Sequence, residues 1–310
     1  MKYATRLNSF LKRKGQTMES TMAELGTIDG ITHVDINYPE HLEHISVAQL
    51  KAMLSKNGLK VNGMALRFSD IFQNGEFTNP DLNLAQKAES LCMEAISACR
   101  EFGGEIVTIW QAFDAFDYPF QVDYETAWIK MRDAFRRIAD AAAPDIKISI
   151  EYKPFQPRSF SLVPNMATAM LLVEDIGRQN VGLTLDFCHM LMAGENPAAA
   201  LALTASRGRL LGVHLNDGYR LNDDGLMVGS VHLLETLEFL YYAKKYGYQQ
   251  AIYFDTFPLR EEPAQECRQN IRTVERLFAA LDEIGMEKVG GLVHSQDGMS
   301  AMEILHSLMR

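Results

Sequence analysis

Four polar side chains close apolar runs in the second half of the chain: Glu151 after Ile148-Ser149-Ile150, Asp186 after Leu183-Thr184-Leu185, His214 after Gly212-Val213, and Asp255 after Ile252-Tyr253-Phe254. Any one of them has an ordinary explanation. A lone carboxylate at a strand end pairs with a lysine or caps a helix, and a lone histidine is commonly a hydrogen-bonded core residue. Four in succession carry more weight. If the runs are neighbouring strands of a closed sheet, three carboxylates converge on one axis and repel each other. A divalent cation removes that conflict. Three oxygen donors and one imidazole suit Mn²⁺, Mg²⁺ or Co²⁺ better than a thiolate-type zinc site.

Nearby residues extend this chemistry. Glu151 and Lys153 are two apart, so on a strand they share a face. The pair is either a plain ion pair or a cation placed to polarise a substrate oxygen beside a metal. Asp186 and His189 stand where the chain leaves a strand, so His189 can ligate metal, bind a substrate hydroxyl, or simply hydrogen-bond at a helix start. Asn216 and Asp217 follow the His214 run. Then comes Asn222-Asp223-Asp224-Gly225, which reads as a turn or as donors for a second metal.

The elements needed to position these residues are visible as alternation. Runs at 3–10, 32–39, 60–68, 105–111, 146–154, 181–189, 210–217 and 250–258 are apolar or β-branched. Amphipathic stretches, such as those at 45–57, 83–102, 122–142, 163–178, 195–206, 231–246 and 262–284, lie between or after them. Eight strand–helix units without a Gly/Ser linker predict an α/β fold, a single (β/α)8 TIM barrel over residues 1–284. A doubly wound open sheet is the alternative. The turn after the first run, Leu11-Lys12-Arg13-Lys14-Gly15, lacks the glycine pattern that a nucleotide-binding sheet uses there. Residues 112–125 form a long aromatic and acidic loop after the fourth strand, where catalytic-face loops tend to be functional. Residues 285–310 are expected as a C-terminal helical extension, capping the barrel or making an oligomer contact.

Composition bounds the classes. The 310 residues are 47% hydrophobic and 23% charged, the balance of a globular protein. No apolar run reaches the roughly 20 residues that span a bilayer, and the N-terminus has no signal-peptide pattern. The four cysteines include no C-x-x-C pair, so neither a zinc knuckle nor a disulfide framework is indicated. A reduced cytoplasm is the expected compartment. The net charge of −10 opposes a nucleic-acid role, which needs clustered Lys and Arg to displace counterions.

With these residues in place, the chain resembles the xylose isomerase-like TIM-barrel superfamily, most closely its L-rhamnose isomerase-like branch. The resemblance rests on I-E-Y-K-P with Glu151 and Lys153, L-D-F-C-H with Asp186 and His189, V-H-L-N-D with His214, and F-D-T-F-P with Asp255. It implies that Glu151, Asp186, His214 and Asp255 hold a substrate-orienting metal, and that His189 and Asp224, with Asp223, hold a second one. It places Lys153 on the substrate's carbonyl oxygen and gives catalytic duties to Lys153, Glu151, His189 and Asp224. Trp110 would pack against the sugar, with Phe113 and Phe257 as further apolar walls. His41 is the candidate for a substrate-contacting histidine after strand two, with His33 and His44 close by. One departure stands out: the family spaces two aspartates by two residues after the strand-seven ligand, and Asn222 occupies one of those positions here.

The implied reaction is aldose–ketose isomerisation of a small unphosphorylated sugar (a pentose, a 6-deoxyhexose or a branched sugar such as apiose) by metal-assisted hydride shift. A homodimer or homotetramer is expected, with no nucleic-acid or membrane partner. The runner-up is a ketose 3-epimerase, which shares the barrel; Arg220 is a substrate-binding candidate those enzymes also have. A metal-dependent DNA-repair endonuclease would want more histidines and a basic face. A non-catalytic sugar-binding barrel leaves the ligand set unexplained.

Overall fold

The computed structural model describes residues 1–308. Eight parallel strands form the barrel: β1 Tyr3–Thr5, β2 Ile31–Tyr38, β3 Lys60–Leu66, β4 Ile106–Trp110, β5 Lys147–Glu151, β6 Val181–Asp186, β7 Leu210–Leu215 and β8 Ile252–Phe254. They pair in sequence order, and β8 closes on β1. The expected (β/α)8 barrel is the observed fold.

Period-two alternation sorts each strand. Ile148 and Ile150, Leu183 and Leu185, and Val213 and Leu215 join the core between strands and helices. Their alternates face the barrel axis. Thr184 Oγ1 lies 2.6 Å from Ser149 Oγ and 3.5 Å from Thr108 Oγ1. Gly212 makes room for this layer, since a Cβ there would come 2.5 Å from Thr184 Oγ1. Two residues further along the same strands stand Trp110, Glu151, Asp186 and His214. Register sets Trp110 opposite Glu151 and Asp186 opposite His214, all at the carboxyl ends where barrel active sites are built.

The run at 3–10 divides. The chain turns at Arg6 and forms a helix, Leu7–Leu11, because Leu7, Phe10 and Leu11 have helical spacing and pack inward. The sixth run likewise ends at Asp186, whose Oδ1 accepts the His189 backbone N–H and starts the helix Phe187–Met192. Longer helices fall close to the expected segments, including Leu82–Phe102, Tyr124–Ala142 and Pro263–Ile284.

The long loop after β4 is stitched to its neighbours. Ala115–Phe116 pairs antiparallel with Phe160–Ser161 from the loop after β5. The buried Asp114 carboxylate accepts N–H groups from Glu76, Phe77 and Thr78 in the loop after β3. The extension forms the helices Met286–Ser295 and Gly298–Leu308; Val289 is buried, and a Cβ at Gly290 would lie 3.5 Å from the Tyr241 hydroxyl. The extension therefore leans on the outer helix Leu233–Lys245. Among the described residues, no helix is long and apolar enough to cross a membrane.

Candidate metal centre

Glu151, Asp186, His214 and Asp255 are brought together as the sequence suggests. Each is buried, and each offers one donor atom within 4.8 Å of the others. At that separation two carboxylates repel by roughly 3 kcal/mol even at an effective dielectric of about 20, so a bare cluster of three is costly.

The charges record the conflict. Burial pushes the Asp186 carboxyl up to about 7, with His189 pulling it down and Asp223, Asp255 and Glu151 pushing it further up. Burial opposes the charged forms of Glu151 and His214 as well, yet each overrides it in the other: Glu151 falls to about 2 and His214 rises to about 9. His214 Nδ1 stands 3.0 Å from Glu151 Oε1. In the metal-free protein a protonated histidine thus does part of a cation's work.

The donor set fits a hard divalent ion. Asp255 Oδ1 is buried and accepts no hydrogen bond; its nearest cation is Arg6 Nε at 3.4 Å. Asp186 is held from behind by Asn216, whose Nδ2 donates to Asp186 Oδ2 (3.1 Å) and to the Asp255 carbonyl (3.1 Å). Such supporting bonds orient ligands. Asp217 does not enter the site. It accepts the backbone N–H groups of Val231 and His232 and ties down the loop after β7.

A second donor set, Asp186, His189 and Asp223, shares Asp186 with the first. His189 Nδ1 donates to the Tyr152 carbonyl at 3.0 Å, since a carbonyl can only accept, and Nε2 faces Asp223 Oδ2 at 3.2 Å. Burial disfavours the imidazolium, but Asp186 and Asp223 together raise His189 to about 9. Lys153 Nζ donates to Asp223 Oδ2 at 2.9 Å and lies 5.2 Å from the Trp110 ring centroid. Asp223 Oδ1 is buried without a partner. The aspartate beside His189 is therefore Asp223 and not Asp224, whose Oδ2 accepts the Tyr219 backbone N–H. The loop's register is one residue off the expected spacing, and Asn222 turns outward to Gln156.

The sequence matches the model of the family described as xylose isomerase-like TIM barrel over residues 21–289. The chain belongs to that family. A probable sugar isomerase from Mesorhizobium japonicum is 22% identical over 280 residues, which are 84% of this chain and 63% of that protein; the chain thus spans under two thirds of its relative's length. A xylose isomerase domain protein from Alicyclobacillus acidocaldarius is 21% identical, with a TM-score of 0.70 over 90% of this chain and 98% of the other. A structure of L-ribulose 3-epimerase is 16% identical, with a TM-score of 0.75 over 92% and 98%. Both share the fold.

In this xylose isomerase-like barrel a pocket of about 170 Å³ opens onto the ligand layer, below the roughly 300–1,000 Å³ that drug-sized ligands occupy. Trp110, Phe257 and Lys153 line it, as expected. Phe113 does not; its ring packs on the hydrophobic core, and its N–H is held by the buried Glu76 carboxylate. Nor does His41, whose ring lies between the Asn37 N–H and the Asn8 side-chain oxygen behind β2. Arg220 is exposed and stands 3.8 Å from Glu235. Two lining residues were not anticipated, Arg6 and Arg67. A signal existed: Arg6 is two residues after Ala4, and Arg67 two after Ala65, on the inward phase of β1 and β3.

Proposed function

We propose that this chain is a divalent-metal-dependent aldose–ketose isomerase of the L-rhamnose isomerase-like kind, acting on a small sugar. The observation that carries the reading is Lys153, buried in the pocket against Asp223 and beside two donor sets that share Asp186. Mn²⁺, Mg²⁺ or Co²⁺ held by Glu151, Asp186, His214 and Asp255 would polarise adjacent sugar oxygens when bound.

The chain's own groups account for the rest. Isomerisation moves the hydrogen on C2 to C1 as hydride, while O2 loses a proton and O1 gains one. Lys153 is placed to meet the negative charge growing on O1. Asp223 touches both Lys153 and His189, which offers the O2 proton a short path toward O1. Trp110 and Phe257 present apolar surface that keeps bulk water from the migrating hydride.

A ketose 3-epimerase is the second reading, favoured by one feature: Glu151 and Asp255 both reach the pocket from non-adjacent strands, as a pair of bases would. Lys153 has no duty in that chemistry. Aldoses deuterated at C2, incubated with Mn²⁺-loaded protein in H₂O and followed by NMR, separate the two. Retention of the label at C1 of the ketose is expected. Exchange at C3 of a ketose in D₂O, without C1–C2 transfer, would make it an epimerase.

A further inference from the structure

The pocket holds two guanidinium groups whose donors the protein leaves largely unanswered. Arg67 is the clearest case: its guanidinium stands 5.7 Å from the Trp110 ring centroid and lines the pocket. Among the described residues that guanidinium makes no hydrogen bond and no ion pair within 4 Å. Arg6 is nearly as poorly served. Its Nε is buried without a hydrogen bond, 3.4 Å from Asp255 Oδ1, and its guanidinium lies 4.5 Å from the Phe257 ring centroid. Each guanidinium carries five N–H donors; both residues are only partly exposed, and donors turned into the pocket gain from an acceptor there.

The carboxylates around these donors have other duties. Glu151, Asp186 and Asp255 form the cation site, Asp223 is engaged by Lys153 and His189, and Glu40, whose charge Arg67 also feels, is hydrogen-bonded by the Asn8 and Asn37 amides.

We infer that the sugar bears an oxyanion, a carboxylate of the uronate kind, held by Arg67 and Arg6. The planar guanidinium fork matches a carboxylate's two oxygens. The carboxylate changes no bonds; hydride and proton move between C1, C2 and their oxygens as above. The reaction rests on the isomerase reading, whereas the binding does not. The sequence gives each arginine only the inward phase of its strand; that both line one pocket follows from closure of the barrel.

Calorimetric titration of Mg²⁺-loaded protein with D-glucuronate, D-galacturonate, D-glucose, D-galactose and D-glucose 6-phosphate tests it, with turnover of each followed in parallel. Uronates are expected to bind at least about tenfold more tightly than their neutral counterparts. Arg67→Met should erase that preference by weakening uronates at least about tenfold more than their neutral counterparts, while Arg67→Lys retains part of it; circular dichroism and melting verify that each variant is folded. Tighter binding of the 6-phosphate than of the uronates, equally dependent on Arg67, would keep the oxyanion and overturn the carboxylate. Equal binding of charged and neutral sugars, or an equal loss for both in Arg67→Met, overturns the inference. Neutral sugars turned over without a uronate preference would sink it and leave the isomerase standing. Arg67-dependent uronate binding with no turnover of any sugar would do the reverse.

Discussion

Two layers of the same barrel lie two residues apart and obey different rules. In the lower one, Thr108, Ser149 and Thr184 are neutral, and their hydroxyls bond one another beside the space left by Gly212. In the upper one, on the same strands, Glu151, Asp186 and His214 join Asp255 in a crowd of like charges, with a carboxylate oxygen left unbonded. The lower layer is complete without a ligand. The upper layer is not, and a cation would resolve it. Position along one strand thus separates residues that hold the barrel together from residues held in tension by it.

Substitutions should act on opposite quantities in the two layers. The largest effect is expected from Asp186→Asn, which removes a donor common to both sets. Activity should fall by roughly 10²–10³ or more, while the metal-free protein at pH 8 melts close to wild type, since the amide still accepts the His189 N–H and loses only the bond from Asn216. A large drop in the metal-free melting point would mean that the charge stabilises the fold and would erase the distinction between layers. Next, Asp223→Asn should cost about 10–100-fold in kcat, against under threefold for Asp224→Asn; steady-state kinetics on the purified variants decide which aspartate serves His189.

pH should also separate bound from metal-free protein. His189 and His214 are each raised to about 9 from 6.5. Their contribution to the metal-free fold is therefore complete below 6.5 and is lost as pH rises through about 9. Asp186, lifted by burial to about 7 from 3.8, loses its own contribution earlier, as pH rises from 3.8 to about 7. EDTA-treated protein should thus melt lower at pH 9 than at pH 6.5, and Mg²⁺ should raise the melting point more at pH 9, where fewer protons compete. Equal metal effects at both pH values would contradict this. The smallest effect belongs to the lower layer. Thr184→Val, which strands the Ser149 hydroxyl, should cost about 1–3 kcal/mol in urea unfolding and leave metal affinity within a few fold.

The upper layer was legible in sequence where a charge ends an apolar run of normal strand length, as at Glu151, Asp186, His214 and Asp255. It was not legible where strand and helix merge in one run. Arg6 sits inside the apolar stretch 3–10, and only the fold reveals the turn there. His41 shows the opposite failure: a histidine near a strand end whose ring is spent on Asn37 and Asn8 behind the strand. The loop after β7 has no period, so neither spacing nor composition could choose Asp223 over Asp224. Phe113 was misplaced for a related reason, because the loop that carries it is pinned by Glu76 and Asp114, whose long-range bonds leave no local trace.

Whether the upper layer binds a divalent ion can be measured without knowing the sugar. Metal-stripped protein titrated with Mn²⁺ and followed by electron paramagnetic resonance should take up at least one ion per chain, and Asp186→Asn and Asp255→Asn, still folded, should take up none with comparable affinity. Folded wild-type protein that leaves all Mn²⁺ free, with Mg²⁺ and Co²⁺ equally unbound by calorimetry, would contradict the metal centre and the isomerase built on it.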